Sequence, residues 1–152
     1  AGFAPIVLTR ARRIVDDIDL FKRFDRVAVG LSIPTDDDRC RRIFEPGADP
    51  IDDRIEALEI LQRAGVRTFA VIQPMLPMNV TRLVRRVAPL VKAVRIDRMY
   101  FLERVRDRYL DNGFAEATTD AFFERTHREI AAGFSECGVA IDDLDDLALL
   151  LG

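Results

Sequence analysis

The sequence predicts an α/β protein built of parallel βα units, about four of them, followed by extra C-terminal helices. Two observations carry this. Short apolar runs rich in β-branched residues recur along the chain, each near-continuous rather than alternating, as in strands covered on both faces. Segments with helical periodicity separate them, so right-handed crossovers should link strands of a parallel sheet. The GxGxxG and Walker-A patterns are both absent. An open doubly wound sheet and a piece of a barrel both satisfy the alternation, and in either case active residues belong at the carboxyl ends of the strands.

In order, the expected strands are "PIVLT" (5–9), "RVAVGLSI" (26–33), "VRTFAVIQ" (66–73) and "AVRIDRMY" (93–100). Asp36, Asp37 and Asp38 suit the N-cap and first turn of a helix running through Arg42. The 51–64 segment puts Ile51, Ile55, Leu58 and either Ile60 or Leu61 on one face, with Gly65 ending it. Asn79 caps a helix over 80–91 that Pro89 must shorten or kink. A helix over 102–113 should end near Asn112 and Gly113. Thr119 or Asp120 caps a longer one stopped by Gly138. The short apolar "VAI" leads into "DDLDDLALLLG", read as a helix whose acidic start suits its dipole.

At 152 residues the chain fits one domain with a real core, and no linker or internal repeat divides it. It is 49 % hydrophobic and 32 % charged, which argues against disorder. Its 23 basic and 26 acidic residues nearly cancel, so overall charge gives a nucleic-acid partner no support. Local basic runs such as "TRARR", "RCRR" and "RLVRR" read first as solvated helix faces. Cys40 and Cys137 are the only cysteines, so this chain alone builds neither a zinc nor an iron–sulfur site, and a reducing cytoplasm is expected. No apolar run is long enough to span a membrane and no signal-peptide pattern opens the chain. It begins with Ala1, consistent with processing or with a piece of something longer.

The chemistry collects where strands stop. These ends are Thr9–Arg10, Ser32 before "PTDDD", Gln73 before "PMLPMN", and Asp97, Arg98 and Tyr100. The set offers donors for a carboxylate, hydroxyls for a ribose and Pro-stiffened backbone for a planar base. It offers no nucleophile with its base. Plainer roles exist for each. Thr9 and Ser32 suit turns, Arg10 and Arg54 suit surface ion pairs, and Glu45 could clamp Arg54 across the stiff "EPGADP" loop. His127 has no second ligand near it in sequence, and Met75 and Met78 suit gap filling.

Taken together, "VLTRARRIVDDIDLF" and "VAVGLSIPTDDDRCRRIFEPGADPIDDRIEALEILQRAGVRTFAVIQPMLPMN" resemble radical S-adenosylmethionine proteins of the spore photoproduct lyase type. Those proteins have a strand ending in Thr-Lys, an "RDLDLL"-like helix and a strand ending in Ser. An "EP.AP" loop with a following arginine and a "P.IPG.N" strand end come next. The likeness covers residues 5–79, weakens through Tyr100, and is absent beyond.

The resemblance implies a partial (β/α) barrel that binds S-adenosylmethionine over a four-iron, four-sulfur cluster and cleaves it to a 5′-deoxyadenosyl radical. Arg10, at the family's lysine, would meet the methionine carboxylate, with Ser32 near the same carboxylate or the ribose. Arg54 would reach the carboxylate or tie to Glu45, and Gln73 and Pro74 would meet the adenine through their backbone. The CxxxCxxC motif and the Gly-Gly-Glu-like strand that follows it are missing, and Met78 replaces a usual glycine. This chain would then be strands three to six, holding neither the cluster nor S-adenosylmethionine alone, with the N-terminal half of the same protein as its partner. A nucleic-acid substrate would fit the resemblance. The alternative is a non-catalytic βα binding or assembly module without cluster or S-adenosylmethionine; a phosphate-binding TIM-barrel piece lacks the Gly-rich loop it would need. Strands cut from a barrel leave an apolar edge and an uncovered face, so self-association as a homodimer is expected.

Overall fold

A computed structural model describes residues 3–141. Its five strands are β1 (Ile6–Thr9), β2 (Ala28–Ser32), β3 (Arg67–Ile72), β4 (Ala93–Ile96) and β5 (Ala140–Ile141). They form one sheet in the order β1-β2-β3-β4-β5, with every neighbouring pair parallel. Spatial order equals chain order, so no reversal of the kind a doubly wound sheet contains occurs among the described strands.

The crossovers carry α1 (Ile18–Phe21), α2 (Asp38–Phe44), α3 (Ile51–Arg63), α4 (Val80–Val87), α5 (Arg106–Asp111) and α6 (Asp120–Glu136). Helix starts follow the sequence signals. Asp37 accepts from Arg39 N at 2.8 Å, Asn79 from Arg82 N at 2.9 Å and Thr119 from Phe122 N at 3.2 Å. Gly65 takes φ +81° just after α3, the left-handed turn that an L side chain resists.

Alternation along each strand sorts the two faces. Val29, Leu31, Ala70, Ile72, Val94 and Ile96 join the main core with Leu58 and Leu61 of α3, Leu83 and Val87 of α4, and Ile130 and Phe134 of α6. The other face forms a smaller cluster of Ala28, Phe69, Val71 and Ala93 with Ile6 and Ala140, made of strand residues alone. Phe69 lies flat across Gly30, where a Cβ would sit 2.3 Å from the ring. Only glycine leaves room for that ring. Leu8, on the same face at the β1 edge, is 52 % exposed.

Several elements differ from expectation. The "VAI" segment supplies a fifth strand, which the hydrophobic pattern was too short to announce. β4 stops at Ile96, and residues 97–100 leave the sheet. The helix expected over 102–113 is a 3-10 turn, Leu102–Arg104, and then α5, broken at Val105 (φ −124°, ψ 2°). α4 ends at Val87 and Pro89 sits in the 3-10 turn Ala88–Leu90. The acidic-start helix expected from Asp142 onward lies outside the described residues.

Candidate functional site

The carboxyl ends of the first four strands converge. Arg10 follows β1, Ser32 ends β2, Gln73 and Pro74 follow β3, and Arg98 to Tyr100 follow β4. Arg10, Ser32, Gln73, Pro74, Arg98 and Tyr100 all border one cavity of about 610 Å³, a size that suits a small molecule. Val71 and Leu8 carry it onto the face of the sheet that no helix covers among the described residues. The sequence singled out all six bordering residues as strand-end groups. Met99, which also walls the cavity, carried no signal beyond lying between Arg98 and Tyr100.

Ser32 is 4 % exposed, and its Oγ is buried without a hydrogen-bond partner among the described residues. Such a group is costly unless something meets it, by roughly 1–3 kcal/mol. Tyr100 donates its hydroxyl to Asp97 Oδ1 at 2.7 Å, and that bond raises the phenol pKa. Arg98 is drawn aside, its Nη2 2.6 Å from Asp120 and its guanidinium over the Phe123 ring.

Arg54 stands apart from the cavity. It is fully buried, and its guanidinium spans three anchors: Nε to Asp49 O (2.8 Å), Nη1 to Ser32 O (2.9 Å) and Nη2 to Glu45 Oε2 (2.8 Å). Of the two roles open to Arg54 in the sequence, this geometry is the tie to Glu45. The arginine holds the strand end that presents Ser32. Glu45 reaches both ways. Its Oε1 lies 2.8 Å from Arg10 Nε, close enough for an ion pair although the N–H is not aligned on that oxygen. Arg10 itself is half exposed.

The loop between α2 and α3 is thereby pinned from both ends. Arg41, also buried, donates to Ala48 O at 3.0 Å and to both oxygens of Asp38. Asp38 Oδ1 in turn accepts from Ile51 N at 3.2 Å, starting α3. The hydrogen bonds from Arg41 hold the Asp38 carboxyl below its usual range. A second clamp joins the neighbouring loops, where the buried Asp36 accepts from Asn79 N at 2.7 Å and pairs with Arg82. Of the three aspartates expected to cap α2, only Asp37 and Asp38 do so.

His127 sits elsewhere. It borders a separate cavity of about 640 Å³ beside α6, with Arg95, Asp97, Arg98 and Glu124. No group of three or more His, Cys, Asp or Glu side chains among the described residues is arranged to hold a metal ion. Burial pushes the Cys40 thiol up to about 12, making it an inert packing group, and Cys137 is exposed. No helix among the described residues is long and apolar enough to cross a membrane.

No family model matches the chain. It is 34 % identical over 71 residues, 47 % of its length, to an uncharacterized protein of Methanocaldococcus jannaschii. It is 30 % identical over 83 residues, 54 % of its length, to an uncharacterized protein of Acidianus two-tailed virus. The matched stretches are 27 % and 28 % of those proteins, so the chain spans well under half of either relative.

Proposed function

We propose that this chain supplies the S-adenosylmethionine-binding strand ends of a radical S-adenosylmethionine iron–sulfur enzyme of the spore photoproduct lyase type. In this reading it forms strands three to six of a partial (β/α) barrel, and residues outside it hold the cluster. One observation carries the reading. Four of the five residues that the resemblance implicates, Arg10, Ser32, Gln73 and Pro74, border a single cavity, and the fifth, Arg54, hydrogen-bonds the backbone of Ser32. The sequential parallel strand order also supports the reading, since a barrel segment would have it.

The residues present fit the nucleoside and amino-acid parts of the cofactor. Ser32 Oγ is an orphaned polar atom in the cavity, and Arg10 offers a guanidinium to a carboxylate. Gln73 brings an amide able to donate and accept along a base edge. The described residues do not fit the cluster, since a buried inert Cys40 and an exposed Cys137 cannot furnish its thiolates. S-adenosylmethionine held at these strand ends, with a cluster held by residues outside this chain, would supply radical chemistry. The part of this chain is to bind and orient: Glu45 aims Arg10, Arg54 fixes the level of Ser32, and Pro74 stiffens the third strand end.

Equilibrium dialysis of labelled S-adenosylmethionine against the full-length protein with its cluster reconstituted tests the reading. Saturable binding that weakens roughly tenfold in Arg10→Ala supports it, in line with loss of one charged hydrogen bond. Absence of saturable binding at millimolar cofactor overturns it. The sheet face lined by strand residues alone among the described residues, and the β1 edge, are also where the rest of such a barrel would pack, so the isolated chain is expected to self-associate. A clean monomer in sedimentation at roughly tens of micromolar would count against that part.

A further inference from the structure

A second cavity, of about 620 Å³, lies on the other side of Arg10. It shares Thr9, Arg10, Pro74 and Met99 with the first, so the two adjoin across a common wall. Its further lining includes the apolar Phe44, Leu76 and Val105, the carboxylates of Glu45 and Asp49, and the exposed Arg108. Phe44 is held by packing at a tilt against the buried Tyr109, ring centroids 4.4 Å apart, so this wall is preformed.

Two cations and two carboxylates line it, Arg10 and Arg108 with Glu45 and Asp49. Glu45 lies between Arg54 and Arg10, and the Asp49 carboxylate accepts from Arg12 N at 2.6 Å while its carbonyl accepts from Arg54. The exposed Arg108 guanidinium makes no hydrogen bond or ion pair among the described residues, although most arginines of the chain do. A mainly apolar chamber with a guanidinium at its edge that has no partner among the described residues is complementary to a ligand with an apolar body and a single anionic end.

We propose that this second cavity binds an apolar molecule carrying one carboxylate or phosphate, and that Arg108 is the residue that selects the anionic end. As the substrate site of an enzyme, this rests on reading the first cavity as the cofactor's. As a ligand site, it does not. The adjoining walls would set such a ligand directly against whatever fills the first cavity.

The test uses a matched pair of probes, 4-phenylbutyrate and 4-phenylbutanol, titrated into the 152-residue chain by calorimetry. Phenylbutyrate should bind saturably and more tightly than the alcohol. Arg108→Gln, at an exposed position, should weaken the acid roughly tenfold and leave the alcohol unchanged. Val105→Trp, which fills the chamber, should abolish both while the circular dichroism spectrum is retained. Equal affinity for acid and alcohol, an unaltered acid affinity in Arg108→Gln, or no saturable binding of either probe overturns the proposal. Phenyl phosphate in place of the acid distinguishes the two anionic ends, tighter binding of either one assigning the site to it. S-adenosylmethionine dialysis on the wild-type full-length protein separates the two readings: probe binding without cofactor binding keeps this cavity and sinks the cofactor assignment.

Discussion

Two arginines share one glutamate and lead opposite lives. Arg54 is sealed in the interior with three hydrogen-bonded anchors, while Arg10 is half exposed on the wall of two cavities. The glutamate between them couples a rigid foundation to a working surface. Conserving charge at Arg54 serves the geometry of Ser32, whereas charge at Arg10 is open to a ligand. Residue type alone does not separate a structural arginine from a binding one; the number of donors already engaged does.

The largest effect expected from breaking this arrangement is on stability. Arg54→Ala strips partners from Ser32 O and Asp49 O and leaves Glu45 a buried carboxylate facing only Arg10. Losing one side of a buried pair typically costs about 3–5 kcal/mol. Arg10→Ala removes a half-exposed partner and should cost under about 1 kcal/mol. Urea denaturation of both variants measures the contrast. Similar losses in the two would mean that Arg10 is as structural as Arg54.

A smaller effect sharpens the view of the loop as a pinned foundation. Asp38 has its folded-state carboxyl pKa lowered below the ordinary 3.8, first by hydrogen bonds from Arg41. A lowered folded pKa gives stability that is present above the unfolded value and lost as pH falls through the folded one. The wild-type chain should therefore lose stability below about pH 4, and Asp38→Asn should flatten that part of the curve. Thermal melts between about pH 2 and 6 record it. An unchanged acid limb in Asp38→Asn would show that the Arg41–Asp38 link does not hold the loop.

Much of this was legible in the residues, and the parts that were not have identifiable physics. β-branched runs gave four strands because burial on both faces leaves a continuous apolar signature. β5 is two residues long and exists because Ala140 and Ile141 find β4, a long-range pairing that local pattern does not encode. The break at Val105 likewise follows tertiary packing, since the local helix pattern of 102–113 is intact. In the cavity, Arg10, Ser32, Gln73 and Pro74 were readable because parallel topology sends every strand end to one side. Burial was not. Arg54 and Arg10 look alike in sequence, and only the fold distinguishes the one that ends up with all three guanidinium nitrogens engaged. Arg108 had no signal, because its interest lies in what it fails to pair with.

Ser32→Ala gives the smallest effect on stability and the cleanest separation of the two regions. The Arg54 bond runs to the Ser32 carbonyl, which alanine retains, so the clamp survives the substitution. What is removed is Oγ alone, a buried hydroxyl with no partner among the described residues. Deleting an unsatisfied buried polar atom should be neutral or slightly stabilising, within about 0.5 kcal/mol of wild type on either side. If the hydroxyl is kept for a ligand, the same variant should weaken S-adenosylmethionine binding in dialysis, by up to roughly tenfold for one hydrogen bond. Its melting temperature and its binding isotherm would then part company. A Ser32→Ala protein that loses clear stability and keeps its binding would assign Oγ to the foundation, and with it the comparison between the sealed arginine and the open cavity would fail at the residue where the two meet.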